Sequence, residues 1–295
     1  MSIICHGDIE NAKKFLHDLS KKRFTFGLVA SYSETCEIPG ITIAGADKEF
    51  LKFTAPADSE YIEYGKCVCI SGIPISPDGK PTPALLTRVS LNAAKIPHFV
   101  VNAGSKVAPS LCYFDADILP GKNISESPAM SIEQVKSGIE YGKNLGKIMS
   151  QNTDCLVIGE CIPGGTTTAL TVLRAFGLEC NVSSSMQNNP LDLKNKIVSD
   201  ALKRKKSNDA LEIIANFGDP MMPVCAGMLS SATLINRFFP TGQVYKEFYE
   251  SSENLFDLLQ FPDIWTLGYL KWELELLETL GFGLDLEKCA VTGST

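Results

Sequence analysis

Two adjacent glycines and three threonines within residues 159–170 form the stretch best suited to bind an anion. The stretch follows a short apolar run, Cys155 to Ile158, and precedes a segment with helical apolar spacing, Thr166 to Phe176. This order predicts a strand, a glycine-rich turn and a helix. Backbone N–H groups and hydroxyl groups at the turn would donate to a phosphate, and the helix start adds about half a positive charge. The predicted phosphate ligands are Gly164, Gly165, Thr166, Thr167 and Thr168.

This glycine-rich stretch matches neither of the common nucleotide-binding patterns. It lacks the Lys that precedes Ser or Thr in the Walker A motif, and its glycines do not follow the G-x-G-x-x-G spacing. The alternative interpretation is a tight turn and a helix N-cap that bind no ligand. The pattern alone leaves both interpretations open.

Strands that alternate with helices predict the architecture around this stretch. Besides the run before Gly159, the predicted strands are Phe24 to Ala30, Cys67 to Ile70 and His98 to Gly104. The predicted helices begin after Asp8, run from Ala84 to Ala94, from the cap Ser131 to Ile148, from Leu191 to Lys203 and from Asp209 to Asn216. We therefore expect an α/β fold with a Rossmann-like, mostly parallel sheet and flanking helices.

The carboxyl ends of parallel strands collect ligands, because the loops that follow them meet at one edge of the sheet. This rule brings together four polar or flexible positions that lie at or just after the ends of predicted strands or helices. They are Asn102, Gly104, Glu160 and Asp219. We expect Asn102 and Gly104 to help bind the nucleotide.

The composition is ordinary for a globular protein of 295 residues, with 44% apolar residues and a net charge of −7. No apolar run approaches the roughly 20 residues of a membrane span, and residues 1–15 lack the apolar region of a signal peptide. We therefore expect a cytoplasmic protein.

The 10 cysteines include no C-x-x-C pair. Cys67 and Cys69 would project from one face of a strand as buried thiols, and we expect no metal site.

The acidic charge is concentrated in the last part of the chain. Residues 231–295 hold four basic and ten acidic residues, a net charge of −6, which leaves −1 for residues 1–230. A nucleic-acid groove normally needs a basic stripe, and neither part shows one by count.

Several motifs across residues 20–230, in a characteristic order, resemble the relatives of the nicotinate-nucleotide–dimethylbenzimidazole phosphoribosyltransferases of cobamide synthesis. The motifs are Ile38 to Ile41, Gly72 to Pro74, Ser76 to Gly79, Pro81 to Ala84, Val100 to Gly104, Gly159 to Leu170 and Gly218 to Pro223. The resemblance implies a site for nicotinate mononucleotide and an aromatic base, at which the base is joined to the ribose phosphate and nicotinate is released. The nucleotide is a substrate, and no cofactor is expected.

The resemblance also assigns roles to two carboxylates. Glu160 would face the ribose or the base, and Asp219 would line the same pocket; a carboxylate near the ribose would stabilise an oxocarbenium-like centre. The alternatives are a strand-end carboxylate that only caps the loop, for Glu160, and an Asx-type turn before Pro220, for Asp219.

The sequence departs from that family after about Ser231. The family has further sheet and site elements there, including a carboxylate near the carboxyl terminus that acts as general base, and here that continuation is missing. The remaining segment instead resembles part of the helical domain of the DNA repair protein RecO. The resemblance rests mainly on Gly281 to Leu286 and on Cys289 to Gly293.

The sequence therefore predicts a phosphoribosyltransferase-like domain over residues 1–230 and a short all-α C-terminal segment over residues 231–295, joined as in a chimera. Three functions remain open: a phosphoribosyltransferase, impaired if its terminal base is absent; a non-catalytic domain that binds a nucleotide phosphate; and a DNA-repair interaction module. We expect a small nucleotide and an aromatic base as partners, and neither direct nucleic acid nor membrane. A homo-oligomer is compatible with the sequence.

Overall fold

A four-stranded parallel sheet lies at the centre of the described chain. The computed structural model describes residues 9–19, 22–45, 47–76, 79–184, 186 and 188–231. The strands are β1 (Phe24–Ala30), β2 (His98–Asn102), β3 (Phe114–Asp115) and β4 (Cys155–Cys161). They lie in the order β3-β2-β1-β4, and every neighbouring pair is parallel. This arrangement is the predicted Rossmann-like α/β fold.

The described residues contain eight α-helices. They are α1 (Ile9–Leu19), α2 (Thr54–Tyr64), α3 (Ala84–Ala94), α4 (Ile132–Ser150), α5 (Gly165–Ala175), α6 (Leu191–Leu202), α7 (Ala210–Phe217) and α8 (Met221–Ser231). Helix α1 belongs to a separate compact unit from the sheet. Its predicted cap, Asp8, lies outside the described residues, as does the predicted all-α segment beyond Ser231. The domain boundary after residue 230 stays a prediction.

The alternation of side chains along β1 explains how the sheet is covered on both faces. Leu28 and Ala30 face one side, where they pack with residues of α2 and α3 such as Ile62 and Leu91. Val29 faces the other side, where the buried residues include Leu145 of α4 and Met228 of α8. Parallel sheets are stable when both faces are covered in this way.

The strand predicted at Cys67 to Ile70 is wrong. This segment is a loop, because its backbone N–H groups bond to a carboxylate instead of a neighbouring strand. Glu60, which is fully buried, accepts from the N–H groups of Val68 and Cys69 at 2.6 and 2.9 Å and from that of Ser110 at 2.8 Å. Cys67 and Cys69 therefore do not share a strand face.

Helix α2 was not predicted from the sequence, because it has no clear polar face. Most of its residues are buried, and they lie on all sides of the helix. An amphipathic pattern marks a helix at a surface, so a helix surrounded by protein lacks the signal. The segment between β2 and α4 likewise contains a short element that no pattern marked, the two-residue strand β3.

Helix α4 is fixed by a cap at its start and by close packing against α8 in its middle. Ser131 and Gln134 form a reciprocal capping box at its start, as predicted for the cap Ser131. Further along, α4 packs on α8 through glycines. A methyl group on Gly142 would lie 2.1 Å from the carbonyl oxygen of Val224, and one on Gly227 would lie 2.1 Å from that of Ile139. The two backbones are therefore almost in contact.

We expect Gly142→Ala to lower the free energy of unfolding by about 3 kcal/mol or more, since the added methyl group forces the two helices apart. The change is measured by chemical denaturation. Ser137→Ala is the matched control, because Ser137 is exposed on the same helix. Equal stability of the two variants would show that the α4 and α8 backbones are not in close contact.

No described helix is both long enough and apolar enough to cross a lipid bilayer.

Candidate active site

The order of the strands places a crevice at the carboxyl end of β1. The chain moves from β1 to β2 on one side, and then returns to β4 on the other side. The loops that leave β1 and β4 therefore diverge, and such a switch point is where open α/β sheets bind ligands. Ala30 and Cys161 end these two strands opposite each other.

The loop between β4 and α5 forms one wall of this crevice, and it has the predicted strand, turn and helix. Gly164 has a φ of +74°, in the left-handed region that favours glycine. A methyl group at this position would also lie 3.0 Å from Cβ of Cys36. Helix α5 begins at the next residue, so its free N–H groups point toward the crevice.

The three threonines at the start of α5 have different environments. Thr166 borders the crevice, and its hydroxyl oxygen accepts from Nζ of Lys194 at 3.0 Å. Thr167 is fully buried, and its hydroxyl group has no hydrogen-bond partner among the described residues. Thr168 is also buried, and its hydroxyl group donates to Asp219 at 2.6 Å. Only the first of the three borders the open cavity.

Lys194 is a buried cation next to this helix start. It lies on α6, is fully buried and also donates to the carbonyl oxygen of Ser183 at 2.9 Å. Burial lowers its pKa. Among the described residues no carboxylate lies within salt-bridge distance of it. A buried ammonium without a counter-charge is costly, and an anion bound beside Thr166 would compensate it.

A cavity of about 370 Å³ lies in front of the loop. Its walls come from the β4–α5 loop, from α2 and from the start of α3. The polar or flexible groups on these walls include Glu160, Gly164, Gly165, Thr166, Asp58 and Thr87. We call it the nucleotide cavity, after the ligand that we propose for it below.

A second cavity, of about 420 Å³, shares part of its wall with the first. Its walls are mostly apolar, with Ile43, Phe50, Phe53, Ile73 and Ile75 among them. Ala44, Thr54, Asp58 and Pro83 border both cavities. We call it the apolar cavity, and its lining suits a flat aromatic ring.

Asp58 is the carboxylate that both cavities share. One oxygen, Oδ1, accepts from the hydroxyl group of Thr82 at 2.8 Å, and the other, Oδ2, lies 3.3 Å from Sγ of Cys161. Burial raises the pKa of Asp58, and these two neutral donors partly oppose the rise. In the described part of the chain no cation pairs with Asp58, so its carboxylate binds a proton more tightly than that of an exposed aspartate.

Glu160 and Asp219, the predicted catalytic carboxylates, lie in different surroundings. Glu160 borders the nucleotide cavity and keeps solvent-accessible surface there. The cavity walls nevertheless desolvate its carboxylate and raise its pKa, and the negative charge of Asp219 raises it further. Asp219 is fully buried and does not border the nucleotide cavity. Burial raises its pKa to about 6, against hydrogen bonds from Thr168 and from the backbone at the start of α8.

Asn102 is the last residue of β2 and Gly104 lies in the turn after it, at the same edge of the sheet, but they border neither cavity. The side chain of Asn102 accepts from the N–H group of Ser105 at 2.9 Å and donates to Asp115 at 3.3 Å. A methyl group on Gly104 would lie 2.7 Å from the carbonyl oxygen of Leu119. Both residues shape the turn after β2.

Two residues of this site, Asp58 and Lys194, were not found by sequence reasoning. Asp58 lies on the helix α2, which lacks a polar face, so nothing set it apart. Lys194 did carry a signal. It lies three, four and seven residues before Ile197, Val198 and Ala201, and all four residues are buried. A lysine within the apolar stripe of a helix indicates a buried cation.

The described residues contain no group of three or more His, Cys, Asp or Glu side chains that could hold a metal ion. The eight cysteines in this part of the chain are free.

Two family profiles match the chain. A profile described as Phosphoribosyltransferase matches residues 91–237. A second, described as Recombination protein O C terminal, matches residues 224–295, and of these only residues 224–231 are described.

Solved structures share the fold. A nicotinate-nucleotide-dimethylbenzimidazole phosphoribosyltransferase from Thermus thermophilus superposes with a TM-score of 0.53 at 18% identity, over 71% of this chain and 57% of that one. A structure of CobT from the same organism gives a TM-score of 0.53 at 16% identity, over 71% of this chain and 58% of that one.

Curated relatives are closer in sequence. The chain is 48% identical over 211 residues to a UPF0284 protein of Archaeoglobus fulgidus. The aligned residues cover 72% of this chain and 63% of that relative, so the chain spans less than two thirds of the relative's length. It is 41% identical over 256 residues to a UPF0284 protein of Saccharolobus solfataricus, which covers 86% of this chain and 72% of the relative. The chain belongs to the UPF0284 family.

Proposed function

We propose that the chain binds nicotinate mononucleotide and transfers its phosphoribosyl group to an aromatic base. One observation carries this proposal. The start of α5, with a buried cation 3.0 Å from Thr166, opens onto a cavity that also holds Glu160 and Asp58. The family profile and the fold of the Thermus thermophilus enzymes support the same reaction class.

The 5'-phosphate would bind at the β4–α5 loop. Backbone N–H groups at Gly164 and Gly165, the hydroxyl group of Thr166 and the ammonium group of Lys194 would donate to it. The phosphate would also supply the counter-charge that Lys194 lacks in the described part of the chain. With the phosphate fixed there, the ribose would lie in the nucleotide cavity beside Glu160.

The chemistry would then take place between the two carboxylates. The bond between C1' of the ribose and the nicotinate nitrogen breaks, and nicotinate leaves with the electron pair. The ionised carboxylate of Glu160 would stabilise the positive charge that develops on the ribose. A ring nitrogen of the acceptor, held in the apolar cavity, would attack C1' and transfer its proton to Asp58.

Asp58 would thus act as general base from within the α/β domain. The described site would then need no carboxylate from the C-terminal region, where the resemblance implies a general base. The position of Asp58 on the shared wall supports this role, because a base for the acceptor must reach one cavity while the ribose occupies the other.

The experiment is a melting scan with and without nicotinate mononucleotide. At about 100 times its dissociation constant, the nucleotide should stabilise the protein by about 2.7 kcal/mol, or on the order of 5–10 °C. Thr166→Val should weaken nucleotide binding about tenfold, because it removes one hydrogen bond to a charged ligand. Thr171→Val is the control, since Thr171 lies one turn further along α5 and bonds to the carbonyl oxygen of Thr167. The proposal would be refuted if the wild-type protein were folded and its melting temperature did not change with the nucleotide.

A DNA-repair role is the second candidate, and it rests on the match of residues 224–295 to the Recombination protein O profile. The net charge of −6 over residues 231–295 opposes direct contact with DNA. We therefore expect single-stranded DNA to leave the melting temperature unchanged. A shift that disappears steeply with added salt would favour the repair role instead.

A further inference from the structure

We propose that Cys161 and Thr82 are positioning residues that hold the two oxygens of Asp58 at the wall between the cavities. This inference rests on the proposed function, in which Asp58 is the base. It assigns to Cys161 a specific task, which is to connect the base on α2 with the strand end that carries Glu160.

The geometry brings three separate segments to one carboxylate. Asp58 lies on α2, Thr82 lies in the loop before α3, and Cys161 is the last residue of β4. The Thr82 hydroxyl group is itself oriented, because its oxygen accepts from the N–H group of Ala84 at 3.2 Å. Its hydrogen is thereby directed to Oδ1 of Asp58 at 2.8 Å, and the thiol of Cys161 takes the other oxygen at 3.3 Å.

The thiol can serve only as a donor in this position. Burial, together with the neighbouring Asp58 carboxylate, raises the pKa of Cys161 well above its usual value, so the proton stays on sulfur. A thiol is a weak donor, which leaves the carboxylate basic enough to accept a proton from the acceptor. A hydroxyl group or a cation at the same place would stabilise the ionised carboxylate more strongly and make it a poorer base.

Among the residues that the structure describes, few ionisable groups besides Cys161 lie near Asp58. Cys67 lies in the loop after α2, and the negative charge of Asp58 contributes to its raised pKa. Glu160 borders the nucleotide cavity, and Lys80 borders the apolar cavity. Neither of these two contacts the Asp58 carboxylate, whose hydrogen-bond donors are Thr82 and Cys161.

The direction of the effect follows from the two donors. Both favour the ionised carboxylate, so removing either one raises the pKa of Asp58. A base must be ionised to act, and activity falls as the pH drops through its pKa. Loss of a donor therefore moves the acid side of the kcat/KM profile to higher pH.

The test compares the pH dependence of kcat/KM for Thr82→Val and Cys161→Ala with that of the wild type. We expect shifts of about one pH unit and about half a unit, respectively, with KM for nicotinate mononucleotide nearly unchanged. Thr82→Ser restores the wild-type profile. Cys161→Ser, as the stronger donor, moves the acid side to lower pH. Cys67→Ala is the control, because its thiol bonds to the carbonyl oxygen of Ala57 and not to Asp58.

The inference would be overturned if the acid side of the kcat/KM profile stayed at the wild-type pH in both Thr82→Val and Cys161→Ala. It would also be overturned if Cys67→Ala shifted the acid side as far as these two variants do. A carboxyl ¹³C NMR titration, with the Asp58 signal assigned by its loss in Asp58→Asn, separates this inference from the proposed function. If the wild type shows no turnover, the proposed function fails. The titration still decides whether the two donors set the pKa of Asp58.

Discussion

Asp58→Asn is expected to lower kcat by about 10²–10⁴-fold, the usual contribution of a general base. The amide has the size of the carboxylate and can still accept a hydrogen bond from Thr82, so the wall between the two cavities keeps its shape. It cannot take up a proton from the acceptor. Because Asp58 is not among the proposed phosphate ligands, which are Gly164, Gly165, Thr166 and Lys194, binding of nicotinate mononucleotide should change little.

Two measurements separate these effects: steady-state release of nicotinate, and titration calorimetry with the nucleotide alone. Asp200→Asn is the control, since Asp200 is an acidic residue on α6 that pairs with Lys203 at 2.6 Å, away from both cavities. If Asp58→Asn kept the wild-type kcat over the whole pH range, another group would have to accept the proton.

Lys194→Met is expected to weaken binding of nicotinate mononucleotide by about 10–150-fold, which corresponds to about 1.5–3 kcal/mol for a hydrogen bond to a charged group. The free protein should be as stable as the wild type or more stable. In the wild type the buried ammonium group of Lys194 has no carboxylate partner in the described part of the chain. An apolar side chain of similar length avoids the cost of desolvating that charge. Affinity and stability should therefore change in opposite directions.

Lys196→Met is the matched control, because Lys196 lies on the same helix and is exposed. It should change neither property. The affinity of the wild type should also fall at high pH, as Lys194 loses its proton at a pKa that burial has lowered. If Lys194→Met bound nicotinate mononucleotide as tightly as the wild type does, Lys194 would not be a ligand of the phosphate.

Local patterns were sufficient to predict most of the elements that carry the site. The apolar runs at β1, β2 and β4 and the cap at Ser131 are determined by neighbouring residues, so they can be recognised in one sequence. The turn at Gly164 was predicted for the same reason. Helix α2 and the loop at Cys67 depend on contacts with distant residues. Glu60 bonds to three N–H groups that lie 8, 9 and 50 residues away in the chain.

The site itself was predicted in part. Glu160, Gly164, Gly165 and Thr166 border one cavity, and their assignment to the ribose and phosphate remains a proposal. A helix turns by about 100° per residue, so consecutive threonines cannot all face the same cavity. This is why Thr167 and Thr168 are buried while Thr166 borders the opening. Asp58 is more than 100 residues from Cys161 in sequence, and only the folded chain brings them together.

The most direct test of the phosphate site compares the binding of nicotinate mononucleotide with that of nicotinate riboside, which lacks the phosphate, by titration calorimetry on the full chain. We expect the nucleotide to bind with one site per chain and the riboside to bind at least about 100-fold more weakly, because it makes none of the charged hydrogen bonds at the β4–α5 loop. Equal affinity for the two compounds, or no binding of the nucleotide to the folded protein, would contradict a phosphate site at Gly164 to Thr166.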